Sequence, residues 1–247
     1  MVDPAHPSSA LTGVCKFTNL TLPERLPRDP FATVVEWLEL AAKEKVQPNP
    51  NAMSLATVGV DGQPSCRIVL CRRIDPDRGY LVFYTNYLSH KGRDIAANPK
   101  AAVCFHWDDL DRQVRIEGIV SPSPAKESDA YFNGRPLLSR VAAWASAQSR
   151  PLDSRELLIK KEAQARMKFG VPPDGAEPTP DPQAHPHVPR PDYWGGYRLW
   201  ATRVELWLGH TNRLHDRAVW ERALAPDLVD GVPGFSGGAW RATRLQP

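Results

Sequence analysis

The spacing of hydrophobic residues changes from a helical period to an alternating one early in the chain. Asp29-Pro30 precedes FATVVEWLELAAKEK, where apolar residues recur at helical spacing, so a capped helix is predicted to start there. The runs AMSLATVGV and SCRIVLCRR then flank an Asp-Gly dipeptide and predict a β-hairpin. Three more strands are predicted for GYLVFYT, KAAVCFHW and RQVRIEGIV, with a short helix over residues 86–98.

The second half of the chain begins with helical patterns and then returns to strands. Helices are predicted over residues 124–133, 136–147 and 154–169. The runs WGGYRLWATRVELWLG, RLHDRAVWERA and GAWRATRLQP predict strands, with residues 225–238 as a loop that interrupts them. This order indicates a mainly β fold, an antiparallel barrel with peripheral helices. Strand and helix do not alternate as in a Rossmann sheet, and no GxGxxG or GxxxxGK[ST] motif occurs.

Composition bounds the class of protein. The 247 residues suffice for one domain, predicted over residues 29–247, after a flexible N-terminal extension over residues 1–28. Eight of the 25 prolines fall in residues 171–191, which predicts a linker or surface insert. A net charge of +3 argues against a nucleic-acid partner, and the absence of long apolar runs argues against a membrane partner. The four cysteines lack metal or redox spacing, so we expect no metal and a cytoplasmic protein with reduced thiols.

Basic residues cluster where they could bind an anion. Arg67, Arg72 and Arg73 are predicted on the second strand, with Arg67 and Arg73 on one face and Arg72 on the other. His90 and Lys91 open the short helix, where free backbone N–H groups also favour an anion. The alternative is that the strand arginines are solvated or pair with carboxylates.

A phenol, a guanidinium and a hydroxyl recur at four-residue spacing in YFNGRPLLS. If Tyr131, Arg135 and Ser139 share a helix face, they form a second anion site; otherwise they are an ordinary helix surface. Gln148 and Ser149 follow at a helix end and could hydrogen-bond a heterocycle.

The motif RLHDR alternates cationic or titratable residues along a predicted strand. Alternation places Arg213, His215 and Arg217 on one face, where they repel one another unless something anionic lies against them. The alternative is a surface strand on which Asp216 neutralises a neighbour.

The blocks that carry these residues resemble a known family. GQPSCRIVLCR, FYTNYLSHKGRDIAANP, RQVRIEGIV, YFNGRPLLS, WASAQS, PRPDYWGGYRL, NRLHDR and the terminal RLQP resemble pyridoxine/pyridoxamine 5'-phosphate oxidases. The resemblance runs in order from about Asp29 to Pro247. It implies an antiparallel FMN-binding split β-barrel that works as a homodimer with flavin at the subunit interface. The implied reaction oxidises pyridoxamine or pyridoxine 5'-phosphate to pyridoxal 5'-phosphate, with O2 as acceptor and H2O2 as product.

The resemblance also implies roles for individual residues. The implied FMN-binding set is Arg67, Ile68, Val69, Leu70, Tyr84, Thr85, His90, Lys91, Gln113, Gln148, Ser149, Trp207 and Arg217. The implied substrate-binding set is Arg72, Tyr131, Arg135, Ser139, Arg213 and His215, and of these Arg213 and His215 are also the implied catalytic residues.

Three departures from the family pattern leave the substrate open. Arg72 stands where the family usually has Lys, His90 where it has Arg, and Leu208 where it has Gln. One alternative is a flavin oxidase of the same fold that acts on another heterocycle, such as a dihydrophenazine in secondary metabolism. Another is a non-catalytic protein that binds flavin or pyridoxal phosphate. The retained Tyr131, Arg135 and Ser139 favour a phosphorylated substrate, because buried donors without an anion would be left unpaired.

Overall fold

The structure, a computed structural model, describes residues 18–172 and 186–247 as five α-helices and eleven β-strands. The helices are α1 (Phe31–Lys43), α2 (His90–Ala97), α3 (Ala125–Asn133), α4 (Leu137–Ala145) and α5 (Arg155–Lys168). The strands are β1 (Ala52–Val58), β2 (Pro64–Leu70), β3 (Arg73–Asp75), β4 (Tyr80–Asn86), β5 (Lys100–Trp107), β6 (Arg112–Pro122), β7 (Trp194–Leu208), β8 (Asp216–Glu221), β9 (Leu224–Val229), β10 (Val232–Gly237) and β11 (Arg241–Leu245).

Nine of these strands form one antiparallel sheet that curls into a half-barrel. Its order is β11-β8-β7-β6-β5-β1-β2, and β4 pairs with both β7 and β3. The long β7 makes the curl possible, since β6 follows one edge while β4 and then β8 share the other. The β6–β7 register shifts at Glu117/Gly118, and a Cβ on Gly118 would lie 1.9 Å from the Trp200 carbonyl oxygen, so only glycine fits. The predicted mainly β fold with peripheral helices is confirmed.

The core lies between the concave face of the sheet and α1. Alternate residues of β5, β6 and β7 point into it, including the fully buried Ile116 and Leu206. Phe31 and Trp37 bring α1 onto this face. The predicted start of α1 is confirmed, because Asp29 Oδ1 accepts the Phe31 N–H at 2.7 Å.

A second, smaller core joins α4 and α5. Val171 and Val188, which both belong to the predicted proline-rich insert, are buried in this second core. Trp144 Nε1 also donates to the Pro189 carbonyl at 2.8 Å. Residues 173–185, most of the predicted insert, lie outside the described residues. Within the described ranges, no helix is both long and apolar enough to cross a bilayer.

The described part of the N-terminal extension lies against the sheet. Leu22 is buried in the main core, and the Pro27 carbonyl accepts from Trp220 Nε1 at 2.8 Å. Residues 1–17 lie outside the described residues.

Two local predictions were wrong. The second strand ends at Leu70, so Arg72 lies between strands and Arg73 opens the short β3. Arg67 and Arg73 lie on different strands, so alternation along a single strand does not place them on the same face. Residues predicted as a C-terminal loop instead form the β9–β10 hairpin, whose turn residues Asp230 and Gly231 have φ of 56° and 80°. An Asp-Gly pair with positive φ is what a tight two-residue hairpin turn requires, and the sequence carried that signal.

Candidate functional site

A cavity of about 770 Å³ opens between β2, β4, α2, α3 and α4, a volume typical of sites for small molecules and cofactors. It contains a large part of the predicted set. The predicted residues that line it are Arg67, Ile68, Val69, Leu70, Arg72, Tyr84, Thr85, His90, Lys91, Tyr131, Arg135, Ser139, Gln148 and Ser149.

One corner of the cavity is built around Arg67 of β2. Arg67 Nη1 donates to Thr57 Oγ1 and Nη2 donates to Ser65 Oγ, both at 2.6 Å. The carboxylate of Asp94 lies 3.8 Å from Arg67 Nη2. These contacts fix the guanidinium against the strand, so it meets a ligand already oriented.

Lys91 lies in the first turn of α2 and brings a second cation to this corner. Only 8% of Lys91 is exposed, and Nζ donates to Thr85 Oγ1, Ser89 Oγ and Gln148 Oε1 at 3.1–3.2 Å. Burial, and then repulsion from Arg67, lower the pKa of Lys91 to about 8. These neighbours are neutral oxygens, so an anion in the cavity would stabilise the charged amine.

His90 stands at the mouth of the same corner. Its Nε2 lies 3.4 Å from Asp94 Oδ1, and the side chain is 58% exposed. Asp94 also accepts from Thr57 Oγ1 at 2.6 Å, so one buried carboxylate lies within 4 Å of both His90 and Arg67. Asp94 therefore fixes the positions of Arg67 and His90 from behind, and the space in front of them stays open.

The other end of the cavity is an aromatic shelf made of Tyr84, Tyr131 and Trp194. The Tyr84 and Tyr131 rings stack with centroids 3.8 Å apart and planes 5° apart, and Trp194 is nearly parallel to both. Burial, and then the negative charge of Glu127, raise the pKa of Tyr84 well above its usual range. The shelf therefore offers neutral, flat surfaces on which a ring can pack.

Two arginines flank this shelf. The Arg135 guanidinium lies 4.7 Å from the Trp194 ring centroid, and that of Arg72 lies 5.7 Å from the Tyr131 centroid. Arg135 Nη1 is buried and has no hydrogen-bond partner among the residues that the structure describes. A buried guanidinium N–H without an acceptor is costly, so this atom marks a position for an anionic oxygen.

Tyr131, Arg135 and Ser139 line the same cavity, but they do not share a helix face as the four-residue spacing suggested. Tyr131 belongs to α3 and Ser139 to α4, and Arg135 lies in the connection between the two helices. The three side chains meet at one cavity because the helices turn around it, not because they share a helix face.

The remaining predicted residues form a second group that does not line the cavity. In the register of the sheet, Trp207 of β7 lies between Gln113 of β6 and Arg217 of β8. Arg217 Nη2 donates at 2.7 Å to Glu205, a carboxylate only 2% exposed that also pairs with Arg115 and Arg203. This group is held by the half of the sheet where β7 pairs with β8.

Arg213 and His215 belong to this second group, but the predicted strand alternation there was wrong. Arg213 lies in a 3₁₀ turn, Thr211–Arg213, and β8 begins only at Asp216. The His215 ring lies on Trp207 with centroids 4.7 Å apart, and its Nδ1 accepts the His210 backbone N–H at 3.1 Å. Burial and the nearby Arg213 lower the pKa of His215. A neutral ring that accepts at Nδ1 carries its proton on Nε2.

Leu208, one of the three departures, lies away from the cavity. It is 3% exposed and packs in the main core, on the opposite face of β7 from Trp207. Its apolar side chain is therefore explained by burial. In the described part of the chain, no cluster of His, Cys, Asp or Glu could hold a metal ion.

Several cavity residues were missed by reasoning from the sequence. Trp194 lies in the WGGY block, and the alternation that places Arg67 in the cavity also places Ser65 there. Strand parity was the available signal for Ser65, whereas no local signal indicates that Trp194 stacks with residues more than sixty positions away. The other missed lining residues are Asn86, Ala142, Ala143 and Ser146.

Comparison with known families agrees with this geometry. Residues 39–169 match the profile described as pyridoxamine 5'-phosphate oxidase. Residues 194–247 match the pyridoxine 5'-phosphate oxidase C-terminal dimerisation region. The chain belongs to the pyridoxamine 5'-phosphate oxidase family. The matched dimerisation region supports a homodimer and contains Trp207, Arg213, His215 and Arg217 of the second group.

Individual relatives carry two different names. The chain is 49% identical over 219 residues to a pyridoxine/pyridoxamine 5'-phosphate oxidase of Cupriavidus taiwanensis, covering 89% of each chain. It is 46% identical over 219 residues to the protein of that name from Burkholderia lata. A solved structure of PhzG from Burkholderia lata 383, in complex with tetrahydrophenazine-1-carboxylic acid, matches with a TM-score of 0.76 and 30% identity over 94% of this chain and all of that one.

Proposed function

We propose that this protein is an FMN-dependent oxidase that converts pyridoxamine or pyridoxine 5'-phosphate to pyridoxal 5'-phosphate, with O2 as acceptor and H2O2 as product. The observation that carries the proposal is the presence of two separate cationic ends in one cavity. Arg67 and Lys91 lie at one end, and Arg72 and Arg135 flank the aromatic shelf at the other. Two phosphorylated molecules, a cofactor and a substrate, would satisfy both ends.

The donor set at the first end fits FMN. A phosphate there would accept from Arg67 and Lys91, which now donate to neutral oxygens or lie near Asp94. Thr85, Gln148 and Ser149 add hydroxyl and amide groups for a polyhydroxyl chain or a heterocycle. No glycine loop for a pyrophosphate accompanies these side chains, so the set suits a monophosphate. Bound flavin would supply the hydride-accepting chemistry.

The residues around the shelf would bind and orient the substrate. Arg135, with its unpartnered Nη1, and Arg72 would receive the substrate phosphate, and Tyr131 and Ser139 would add hydroxyl donors. Arg213 and His215 would contact the pyridine ring, with His215 donating from Nε2. Because both lie outside the cavity of their own chain, we propose that they complete the cavity of the partner subunit, together with Gln113, Trp207 and Arg217.

A second function deserves a direct test, because the PhzG match covers nearly the whole chain. The protein would then oxidise a dihydrophenazine-like carboxylic acid, and Arg72 and Arg135 would bind its carboxylate. The higher identity to the Burkholderia lata protein named for pyridoxine/pyridoxamine phosphate oxidation favours the first function.

The deciding experiment compares substrates on wild type and on a phosphate-site variant. The FMN-loaded protein is given pyridoxamine with and without its 5'-phosphate and a dihydrophenazine carboxylic acid, while H2O2 is measured. We expect turnover of the phosphorylated substrate. We also expect Arg135→Met to raise its KM by about 10- to 150-fold, the value of a charge-assisted hydrogen bond. Arg73→Met is the matched control, since Arg73 is outside the cavity and pairs with Asp75.

Other outcomes identify the alternatives. Preference for the dihydrophenazine supports the second function. Flavin binding without turnover of any substrate indicates a non-catalytic flavin-binding protein. An unchanged KM in Arg135→Met contradicts the phosphate site even if the enzyme is active.

A further inference from the structure

The loop that carries Arg213 and His215 holds backbone strain. It connects β7 to β8 over residues 209–215, and its residues Asn212 and Arg213 have φ of 56° and 63°. Residues other than glycine rarely adopt this left-handed region, and each one that does so costs free energy. Two such residues in succession persist only where surrounding contacts hold the loop in place.

Those contacts come from the N-terminal segment Thr18–Pro23, more than 180 residues earlier in the chain. Asn19 Oδ1 accepts the Thr211 backbone N–H at 2.9 Å. The Leu20 carbonyl lies 2.6 Å from His210 Nε2, and because a carbonyl only accepts, the ring donates. These two hydrogen bonds hold the residues directly before Asn212 and Arg213.

The segment is itself anchored independently of the strained turn. Leu22 is buried in the main core, and its N–H donates to Asp216 Oδ2 at 2.7 Å. Arg244 of β11 donates to Asp216 Oδ1 at 2.6 Å and to the Pro23 carbonyl at 2.7 Å. Asn19 and Leu20 therefore extend from a fixed point on the sheet, which allows them to hold the loop.

His210 connects this segment to His215. Its ring donates to Leu20, while its backbone N–H donates to His215 Nδ1. The first bond fixes where the His210 backbone lies, and the second fixes which nitrogen of His215 carries the proton.

We propose that Asn19 and His210 are positioning residues, which hold the loop in the single conformation that presents Arg213 and the Nε2–H of His215 to the substrate. The proposal rests on the proposed function, in which Arg213 and His215 contact the pyridine ring. Both act through the loop, since Asn19 contacts Thr211 and His210 contacts Leu20 and His215.

Asn19→Gly is the main test variant. Asn19 has a φ of 54°, so glycine keeps this backbone conformation and removes only the acceptor. Loss of one hydrogen bond should lower kcat/KM roughly 2- to 10-fold and leave the dissociation constant of FMN unchanged. Asn19→Asp keeps the oxygen and should restore most of the loss. Lys45→Gly is the matched control, because Lys45 has a φ of 53° just after α1, where its backbone N–H donates to the Ala42 carbonyl.

Two further readouts do not depend on turnover. Amide hydrogen exchange of Thr211, followed by NMR, should accelerate roughly 2- to 10-fold in Asn19→Gly and not in Lys45→Gly. The ¹⁵N shifts of the His215 ring should show a protonated Nε2 in wild type, and a mixture of tautomers in His210→Gly, which frees the loop backbone. The dissociation constant of pyridoxal 5'-phosphate should rise in Asn19→Gly and in His210→Gly.

Three results would overturn the proposal: unchanged Thr211 exchange in Asn19→Gly, an equal kinetic loss in Lys45→Gly, or a loss of FMN affinity as large as the loss of kcat/KM. An inactive wild type overturns the oxidase function instead. In that case Thr211 exchange and pyridoxal 5'-phosphate affinity still decide whether Asn19 and His210 position the loop.

Discussion

The two groups of predicted site residues differ in how the fold holds them. Arg67 and Lys91 lie on a strand and a helix, are mostly buried, and face one cavity within a single chain. Arg213 and His215 lie on a connecting loop outside that cavity, and the N-terminal segment contacts His210 and Thr211 of the same loop. A pocket formed by buried residues of regular elements and a group of residues on a connecting loop place different demands on the sequence.

Glu205 carries the largest predicted effect, and it pairs with Arg217 of the second group. This carboxylate is 2% exposed and pairs with Arg115, Arg203 and Arg217. Glu205→Gln should lower the free energy of unfolding by roughly 3 kcal/mol, the lower end for breaking a buried pair, because the arginines are partly exposed. Denaturant titration at fixed protein concentration measures this loss.

Glu117→Gln is the matched control for that variant. Glu117 is 38% exposed and pairs with Arg115 and Arg203, so its replacement should cost less than about 1 kcal/mol. Equal losses of unfolding free energy in Glu205→Gln and Glu117→Gln would show that the burial of Glu205 adds nothing to the stability of the protein.

Subunit complementation tests whether the two groups meet across the dimer. With FMN kept well below the dissociation constant of the Lys91→Met protein, Lys91→Met and Arg213→Ala should each be nearly inactive as pure dimers. Co-expressed, they should recover about a quarter of wild-type activity, because half of a random dimer population is mixed and each mixed dimer holds one intact site. The total activity of the co-expressed population is the measurement, and a purified mixed dimer should show about half of wild-type activity. No recovery would mean that each site is built within one chain.

Lys91→Met alone should weaken FMN binding by about 10- to 150-fold, because it removes a charge-assisted contact to phosphate. Fluorescence titration of the flavin-free protein measures the dissociation constant. Lys43→Met, at the end of α1, controls for the loss of one positive charge, since Lys43 lies outside the cavity. If only the net charge of the protein affects binding, Lys91→Met and Lys43→Met will have the same dissociation constant for FMN.

The lowered pKa of Lys91 predicts how FMN binding depends on pH. In flavin-free protein the amine is charged below about pH 8 and neutral above it, and a bound phosphate favours the charged form. FMN affinity should therefore change little between about pH 7 and 8, where the phosphate is already dianionic, and fall above about pH 8 by up to about tenfold per pH unit. Lys91→Met should abolish this fall.

The same shift has the opposite effect on the stability of the flavin-free protein. The folded-state pKa of Lys91 lies below the ordinary 10.5, so between about pH 8 and 10.5 the unfolded chain binds more protons. The contribution of Lys91 to the free energy of unfolding should rise across that window. Denaturant midpoints of wild type and Lys91→Met, compared at pH 7.5 and 9.5, measure this contribution.

His90→Arg has the smallest predicted effect. It places a permanent charge near Asp94 at the mouth of the cavity, where the imidazole is charged only when protonated. Because the position is 58% exposed, FMN affinity should rise only about two- to fivefold. FMN titrations of wild type and His90→Arg measure this rise in affinity. A lower affinity in the variant would show that arginine does not fit at this position.

The sequence by itself determined the mainly β fold, the residues of α1 and most strands, and most of the residue types that line the cavity. Periodicity and turn residues are local signals, and Asp29 accepts the Phe31 N–H at the start of α1 because this contact involves only neighbouring residues. Where Arg72, Tyr131, Arg135 and Arg213 lie could not be derived this way. Strand β2 ends at Leu70, and the chain changes direction between α3 and α4. Both interruptions break the regular period from which side-chain positions were predicted.

Tertiary structure alone decided which of the chemically suitable residues face one cavity. Tyr84 stacks on Tyr131 and Trp194, and Asn19 reaches Thr211, through contacts between residues far apart in sequence. Such contacts depend on how the sheet curls and on where β7 passes from β4 to β8, which is a property of the packed chain rather than of any local pattern. Local patterns therefore specified the elements and the types of site residue, and long-range packing specified which of them meet.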